Sequence, residues 1–484
     1  MKDKGIFYKL NHNTLQNSIP FHMPGHKRNT RLSYHLKKIG LKYDITEIPG
    51  YDNLYNPDGI ILNIMKKAKI LWKSEKSFLL VNGSTCGILA AIKTLTEPND
   101  KILVARNCHK SVYNAIELCN LEPVFVCPDI NDELGISVSI NPVKVKDSLL
   151  QHPDIKMIIL TSPTYEGVIS DIASICITAH SMNIPVVIDE AHGAHLGLNT
   201  YFNNSAVYAK ADIVIQSLHK TLPSLTQTAI AHICSKSIDS KKFQRYLFVF
   251  QTSSPSYILL SSIEGCINLL LDKKDKLYTR WINNIEYIDY KLSYLKNIKP
   301  FYHGLSKNKA YSNISSYDRS KLLLSVKDCN INGKQLFDIL MNEYGIICEM
   351  YTNSYVLAML SMCDKKSSIK KLCNALLKID TILSHSTKQK NNPQITLPLP
   401  ERIIDINTAR KLETAVIPIS ESQERICAEF LWAYPPGVPF LIPGEKITSE
   451  LISLLNDMLF NGIALQSDYN NPSGYISVLD NLRR

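Results

Sequence analysis

Three short apolar segments of this sequence each end in a polar cluster that contains a histidine. KILVAR leads into residues 107–111 (NCHKS), PVVIDE into residues 189–193 (DEAHG), and ADIVIQS into residues 217–221 (SLHKT). An isolated polar residue in such a place is more often a helix cap or a satisfied core group. Three such clusters are harder to explain in this way. Asp189 also closes an apolar run, where a carboxylate needs a charged partner.

A fourth cluster, GSTCG at residues 83–87, follows the apolar segment SFLLVNG and is predicted to open a helix. Its glycines permit close backbone approach, Ser84 and Thr85 offer hydroxyls, and a helix start offers free N–H groups to an anion. An ordinary helix N-cap fits the pattern equally well. The cluster is not a P-loop, and the sequence has no G-x-G-x-x-G and no G-x-S-x-G motif.

Together these clusters suit pyridoxal 5′-phosphate (PLP). The aldehyde of this cofactor needs a lysine amine such as Lys220, and its ring nitrogen needs an anion such as Asp189 to stay protonated. A metal site is the weaker interpretation, because His192 and His195 lack the H-E-x-x-H spacing. A Ser-His-Asp hydrolase would need a nucleophile elbow, which is missing. We therefore predict PLP and no metal.

The elements that position these clusters are predicted to form an α/β domain. From about residue 75 to 235, apolar segments alternate with segments of helical spacing, which is typical of a mostly parallel sheet covered by helices on both faces. Such sheets bind ligands at the carboxyl ends of their strands. The seven predicted strands are SFLLVNG, KILVAR, EPVFVC, KMIILTS, PVVIDE, ADIVIQS and TAIAHIC.

The rest of the chain predicts two smaller α+β domains. Long helices are expected from about residue 256 to 300, and the Pro-rich segment YPPGVPFLIPGE is expected to be extended. The predicted division is an N-terminal segment (1–60), a large PLP-binding domain (61–275), a small α+β domain (276–383), a polar linker (384–394) and a C-terminal α+β domain (395–484).

Composition excludes several classes of protein. The 484 residues are 45% hydrophobic and 20% charged, as in globular proteins and unlike disordered ones. No apolar run is long enough to span a membrane, and the N-terminus has no signal-peptide core, so we expect a cytoplasmic protein. The net charge of +10 is spread along the chain, which argues against nucleic acid as a partner.

Seven separated motifs resemble the Orn/Lys/Arg decarboxylase family. The resemblance covers nearly the whole chain in order and is closest to the short bacterial branch, which lacks an N-terminal response-regulator-like wing. It implies a fold-type I PLP enzyme with an aspartate-aminotransferase-like large domain and a C-terminal decarboxylase domain. The motifs are FHMPGHK, YDNLYNPDGII, NCHKS, SPTYEG, DEAHG, SLHK and TSSPSY, followed by YPPGVPFLIPGE near the C-terminus.

For the reacting part of the cofactor, the resemblance implies a role for each matching residue. Lys220 would bond covalently to the aldehyde, and Asp189 would sit against the pyridine nitrogen. His109 would stack on one ring face and assist the return of a proton. Ala191 would pack on the other face, with His192 beside it.

For the phosphate, the resemblance implies contacts from Ser84, Thr85, Ser217 and His219. Thr252 would reach the phosphate of the neighbouring subunit. The resemblance therefore implies a homodimer with shared active sites, or a higher oligomer built from such dimers.

Three positions depart from the family pattern. Glu424 stands where relatives commonly have a glycine, Tyr55 where they commonly have a histidine, and Tyr351-Thr352-Asn353 where an aspartate is expected near Glu349. These changes concern the substrate side of the predicted cleft and leave the cofactor residues untouched.

The sequence therefore predicts decarboxylation of a basic amino acid that feeds polyamine synthesis. Arginine to agmatine is the first choice, followed by lysine to cadaverine and ornithine to putrescine. One alternative is an aminotransferase, or another α-carbon reaction with the same cofactor. A further alternative is a catalytically silent regulatory paralogue, against which the presence of Lys220, Asp189 and His109 argues.

Overall fold

The computed structural model describes twelve stretches of the chain, and all structural statements below concern these residues. The predicted linker (384–394) lies outside them except for Ser384, and so do residues 434–436 of the Pro-rich segment. The described stretches are 18–22, 24–27, 29–32, 34, 44–48, 51–131, 133–301, 313–384, 399–433, 437–460, 465–469 and 473–480.

The first part of the chain builds a central sheet and the helices around it. Its strands and helices are β1 (Ile19–Phe21), α1 (Ile60–Trp72), β2 (Lys76–Leu80), α2 (Gly83–Leu95), β3 (Lys101–Ala105), α3 (Lys110–Cys119), β4 (Glu122–Val126), β5 (Ile130–Asn131), β6 (Ile136–Ser137), α4 (Pro142–Gln151), β7 (Ile155–Thr161), β8 (Val168–Ile169), α5 (Ile172–Ser181), β9 (Val186–Asp189), β10 (Ile213–Ser217), α6 (Leu218–Thr221), β11 (Ala229–Ile233), α7 (Ser240–Phe250) and α8 (Tyr257–Leu292).

The seven predicted strands form one sheet, as expected. Their order is β2-β11-β10-β9-β7-β3-β4. Only β11 runs against its neighbours β2 and β10, and the other neighbouring pairs are parallel. The mostly parallel sheet is therefore confirmed. Strands β9, β10 and β11 are buried along their whole length, which explains why they appear as continuous apolar runs in the sequence.

Two apolar cores lie on opposite faces of this sheet. Along β2, Phe78 and Leu80 join the core beneath α2, α3, α5 and α7, whereas Leu79 joins the core that contains α1 and α8. This alternation follows from the two-residue period of a strand. The second core continues without a break into the small domain, so the two domains share buried apolar surface.

The long helices predicted after residue 256 are one continuous helix. Helix α8 contains 36 residues, and the Ser256 side chain caps its start by accepting the Leu259 N–H. The charged stretch DKKDK in its middle contains no helix breaker, because lysine favours helices and aspartate is tolerated in them. The helix runs through the predicted boundary at residues 275 and 276, and the division into domains stays a prediction.

The small domain is an antiparallel sheet covered by helices. Its elements are β12 (Lys299–Pro300), β13 (Ser316–Tyr317), β14 (Lys321–Ser325), α9 (Gly333–Asn342), β15 (Ile346–Cys348), β16 (Met350–Tyr351), β17 (Tyr355–Met359) and α10 (Lys366–Ile382). The four-stranded sheet has the order β12-β14-β17-β16. Two short pairings tie it to the rest of the molecule: the N-terminal β1 joins β15, and β13 joins β8 of the large domain.

The C-terminal part is built from short strands and one main helix. Its elements are α11 (Ile406–Ala409), β18 (Thr414–Pro418), β19 (Leu431–Ala433), β20 (Pro439–Leu441), α12 (Ser449–Phe460), β21 (Leu465–Ser467) and β22 (Tyr475–Leu479). β18 pairs with β22, and β19 lies between β20 and β21. The predicted extended character of the Pro-rich segment is seen in β20. No described helix has both the length and the apolar character to cross a bilayer.

A buried ion pair fastens the C-terminal part to the large domain. Arg106, directly after β3, lies 3.2 Å from Glu445 (Nη2 to Oε2), and both side chains are buried. The same guanidinium donates to the carbonyls of Pro439 (2.8 Å) and Phe440 (3.0 Å). Excellent hydrogen bonding of this kind is what a buried charge requires to offset its desolvation.

Removing one partner of this pair should destabilise the protein strongly. We expect Arg106→Met to lower the free energy of unfolding by about 3–5 kcal/mol, because Glu445 is then buried without its counter-charge. Urea unfolding of the variant measures this. Arg106→Met combined with Glu445→Met should recover part of the loss. The matched control is Lys144→Met, which breaks an exposed pair with Asp129 and should cost less than about 1 kcal/mol. Equal stability of Arg106→Met and the control would contradict the expectation.

Candidate active site

The polar clusters predicted from the sequence meet at one edge of the central sheet. Strands β10, β9, β7 and β3 are consecutive neighbours, and Asp189 at the end of β9 is in register with Thr161 at the end of β7. The carboxyl ends of these parallel strands open into a cavity. Six of the ten predicted site residues line it, namely Ser84, His109, Asp189, Ala191, His192 and Lys220.

Lys220 reaches this cavity from the short helix α6, directly after β10. Its ammonium nitrogen lies 3.0 Å from Nε2 of His192, and the His192 ring packs on the ring of Tyr165 with 4.7 Å between centroids. Burial lowers the pKa of Lys220, and the charges of Asp189 and Glu349 oppose that shift. A lowered pKa increases the fraction of free amine, the form that attacks an aldehyde. Contact between His192 and Lys220 was not foreseen from the sequence.

Asp189 is a buried carboxylate with few hydrogen bonds of its own. Its Oδ1 accepts the backbone N–H of Ala191 at 3.1 Å. Burial raises the pKa of this carboxyl, while Lys220 and the Ala191 N–H act in the opposite direction. A cation placed against Asp189 would keep the carboxylate ionised. The protonated nitrogen of a pyridine ring is such a cation.

His109 sits at the start of α3, where its side chain also acts as the helix cap. Its Nδ1 accepts the backbone N–H of Ser111 at 3.2 Å, so in the neutral ring Nε2 carries the proton. Burial, with the charges of Lys220 and Lys110, lowers the pKa of His109 to about 3. The ring is therefore neutral at pH 7.

The residues predicted to hold a phosphate are divided between the cavity and its surroundings. Ser84 lies at the start of α2 and lines the cavity, whereas Thr85 beside it is exposed. Ser217 is buried at the end of β10, next to the cavity residues. Nδ1 of the half-buried His219 lies 2.9 Å from the carbonyl of Thr228. Thr252 is not among the cavity residues of the described chain, and its Oγ1 accepts the Ser254 N–H at 3.3 Å.

Several buried polar atoms at this edge of the sheet have no hydrogen-bond partner among the described residues. They include Oγ of Ser217, Oγ1 of Thr161, Oδ1 of Asn107 and Nδ1 of His192. Buried polar groups are normally hydrogen-bonded, so unpaired ones mark a place for a polar ligand. Together with an amine, a carboxylate and a neutral imidazole in the same cavity, this donor set fits PLP.

Residues that the sequence had not singled out complete the cavity wall, and they come from the large domain, the small domain and the C-terminal part. Tyr165 and Glu166 come from the quoted SPTYEG motif, which was the one available signal. Tyr355 comes from β17. The C-terminal part adds Val438, Phe440 and Met458, and Val438 and Phe440 belong to the quoted Pro-rich segment. No local pattern marked Met458.

The departures from the family pattern occupy three different environments. Tyr351 and Thr352 line the cavity, as expected for the substrate side. Tyr55 donates its hydroxyl to the carbonyl of Thr252. Glu424 has a φ of 64°, in the left-handed region that glycine adopts most easily. The side chain there forms an exposed ion pair with Lys446 at 2.5 Å.

Comparison with known proteins identifies the family of the chain. The model of the Orn/Lys/Arg decarboxylase major domain matches residues 5–368, and that of the C-terminal domain of the same family matches residues 402–460. An arginine decarboxylase of Bacillus subtilis (strain 168) is 31% identical over 479 residues, which cover 98% of this chain and 97% of that protein.

Two solved structures show the same fold at lower identity. The constitutive lysine decarboxylase of E. coli superposes with a TM-score of 0.74 at 18% identity, covering 98% of this chain and 81% of that one. An SPT structure with PLP gives a TM-score of 0.55 at 12% identity, covering 75% of this chain and 87% of that one. Both family models match in chain order, and the first of them alone spans well over half of the sequence. The chain therefore belongs to the Orn/Lys/Arg decarboxylase family.

Proposed function

We propose that this protein decarboxylates arginine to agmatine and CO₂ with PLP as its cofactor. The observation that carries the reaction type is the convergence of Lys220, Asp189 and His109 in one cavity at the strand ends. The choice of arginine rests on the 31% identity to an arginine decarboxylase over nearly the whole length of both chains. The SPT structure with PLP supports the cofactor at the level of the fold.

When bound, PLP supplies an aldehyde that bonds to amines and a ring that takes up the electrons left at Cα as CO₂ departs. Lys220 provides the amine that holds the cofactor. The substrate would bind with its α-amino group beside Nζ of Lys220. Asp189 holds the proton on the ring nitrogen, because an ionised carboxylate stabilises an adjacent cation. That proton makes the ring a strong electron acceptor.

After CO₂ leaves, Cα must receive a proton. We assign this step to Nζ of Lys220, because its ammonium is a far stronger acid than the neutral ring of His109. His109 would pack against one face of the cofactor ring and Ala191 against the other, with His192 beside it. His109 thereby assists the reaction through its position.

Ser84, Thr85, Ser217 and His219 are proposed to hold the phosphate. The unpaired Oγ of buried Ser217 supports this, as does the start of α2, where the first N–H groups have no partner within the helix. The side chains of Val438, Phe440 and Met458 cover the cavity from the C-terminal side. Their apolar surface would exclude water from the reacting carbon of a bound substrate.

The purified protein should be incubated with arginine, lysine and ornithine in separate reactions containing PLP, and the products identified by mass spectrometry. We expect agmatine and CO₂ from arginine, and much less amine from the other two. Cadaverine or putrescine as the main product would overturn the choice of arginine. Consumption of an added oxo acid without release of CO₂ would instead identify an aminotransferase.

We further propose a homodimer with shared active sites. Thr252 supports this, because it lies outside the cavity of its own described chain, although the family resemblance places it at a phosphate. The hydroxyl of Tyr55 binds the carbonyl of Thr252 and fixes this segment at the surface of the large domain. A partner subunit would then bring its own Thr252 to the phosphate.

Mixing two inactive variants tests the shared sites. Lys220→Ala and Thr252→Glu should each be inactive as pure dimers, the second because a carboxylate is brought against a phosphate dianion. In a mixed dimer, one site draws both Lys220 and Thr252 from unmutated copies. Co-expression should therefore restore up to about a quarter of wild-type turnover, because about half of the dimers are mixed and one of the two sites in each mixed dimer is intact. Mixed dimers without recovered activity would contradict shared sites.

The cytoplasmic location and the role in polyamine synthesis stay predictions from the sequence.

A further inference from the structure

The cavity contains a second carboxylate that the chemistry at Lys220 does not use. Among the described lining residues, only Asp189 and Glu166 are acidic. Glu166 is partly buried, and its Oε1 accepts the hydroxyl of Tyr355 at 3.1 Å. Burial is the main cause of the raised pKa of this carboxyl. Glu166 therefore sits in a place that disfavours its charge unless a cation joins it.

No described basic side chain forms an ion pair with Glu166. The charge of the buried Lys321 ammonium lowers the pKa of Glu166, against the effect of burial. The charges of Asp318 and Glu349 raise the pKa of Lys321, against the effect of burial. The counter-charge of Glu166 is thus incomplete, whereas Asp189 faces Lys220 at the other acidic position of the cavity.

Glu166 lines the same cavity as Lys220, although it is not among the acids whose charge acts on that lysine. The carboxylates that raise the pKa of Lys220 are those of Asp189 and Glu349. Tyr165 packs on His192, the residue that contacts Lys220, and Glu166 follows one residue later. Its partner Tyr355 belongs to β17 of the small domain. A substrate with its α-amino group at Lys220 would therefore extend its side chain toward the wall that holds Glu166.

We infer that Glu166, positioned by the hydroxyl of Tyr355, binds the distal cation of the substrate side chain and so selects basic amino acids. This inference rests on the proposed reaction and names the residue that recognises its substrate. A guanidinium presents several N–H donors in one plane, which suit the two oxygens of a carboxylate. The phenolic hydroxyl occupies one lone pair of Oε1 and orients the group.

Glu166→Gln tests the inference, because the amide has the same shape and still accepts the Tyr355 hydroxyl but carries no charge. With the PLP-loaded enzyme, we expect kcat/KM for arginine to fall by about 10- to 100-fold, as for loss of a hydrogen bond between charged groups. Citrulline is the neutral counterpart of arginine, and kcat/KM for citrulline should fall by less than about 3-fold. An equal loss for both substrates would mean that Glu166 has only a structural role.

Two matched variants separate charge from packing. Glu166→Asp keeps the charge and should lie between the wild type and Glu166→Gln. Tyr355→Phe keeps the carboxylate and should cost arginine less than about 10-fold, since it removes a single orienting hydrogen bond. If Tyr355→Phe shifts the preference from arginine towards citrulline as much as Glu166→Gln does, the inference is overturned.

Binding of agmatine, measured by calorimetry on the same loaded enzymes, gives a readout that does not depend on turnover. We expect about 10-fold weaker binding to Glu166→Gln than to the wild type. Equal affinities would overturn the role of Glu166 even if arginine is decarboxylated. If the wild-type protein makes no agmatine from arginine, but Glu166→Gln still binds agmatine more weakly than the wild type does, Glu166 is supported as a cation site. Only the proposed reaction is then rejected.

Discussion

The purified protein is expected to be yellow with PLP bound, and Lys220→Ala is expected to abolish both this colour and the activity. The amine of Lys220 is proposed to hold the cofactor covalently and to return the proton to Cα, so one change removes two functions. Activity should fall by about 10⁴-fold or more, the upper range for a single acid–base group. Visible absorbance of the purified protein and amine release from arginine are the two measurements.

The control for this variant is Lys241→Ala. Lys241 is an exposed lysine near the start of α7, away from the cavity, and its removal should leave colour and turnover unchanged. If the wild-type protein stays colourless after excess PLP is added, the proposal of PLP as the cofactor is wrong. If Lys220→Ala keeps colour and turnover, another lysine holds the cofactor.

Asp189→Asn is expected to separate cofactor binding from catalysis. The proposed phosphate contacts remain, so the variant should still bind PLP. A neutral amide cannot hold the proton on the ring nitrogen, and kcat should fall by about 10²- to 10³-fold, as when a preorganised electrostatic contact is lost. Cofactor content per subunit and kcat for arginine are to be measured on the same sample.

Asp212→Asn is the matched control for Asp189→Asn, because Asp212 is another buried aspartate beside the central sheet. Asp212 directly precedes β10 and accepts the Val186 N–H at 2.8 Å, remote from the strand ends that line the cavity. Its loss should reduce stability and leave kcat per folded subunit close to that of the wild type. Near-normal kcat in Asp189→Asn would show that Asp189 does not support the ring nitrogen.

The order of secondary structure was predictable because each signal is local. Strands buried on both faces appear as continuous apolar runs, and all seven predicted segments occur in the central sheet. The expectation of more than one helix after residue 256 was wrong, because the chain continues as the single helix α8 through the charged stretch DKKDK. Lysine and aspartate make one face of a helix polar, but they do not end the helix.

The sequence by itself also predicted which polar residues meet at one end of the cavity. Parallel strands place their carboxyl ends at one edge, so Asp189, Lys220 and His109 had to approach one another once the strands were identified. Only the tertiary structure decided the opposite wall. Tyr355 reaches Glu166 across 189 residues, and Arg106 reaches Glu445 across 339 residues. Contacts between such distant segments depend on how whole domains pack, and no periodicity within either segment encodes that packing.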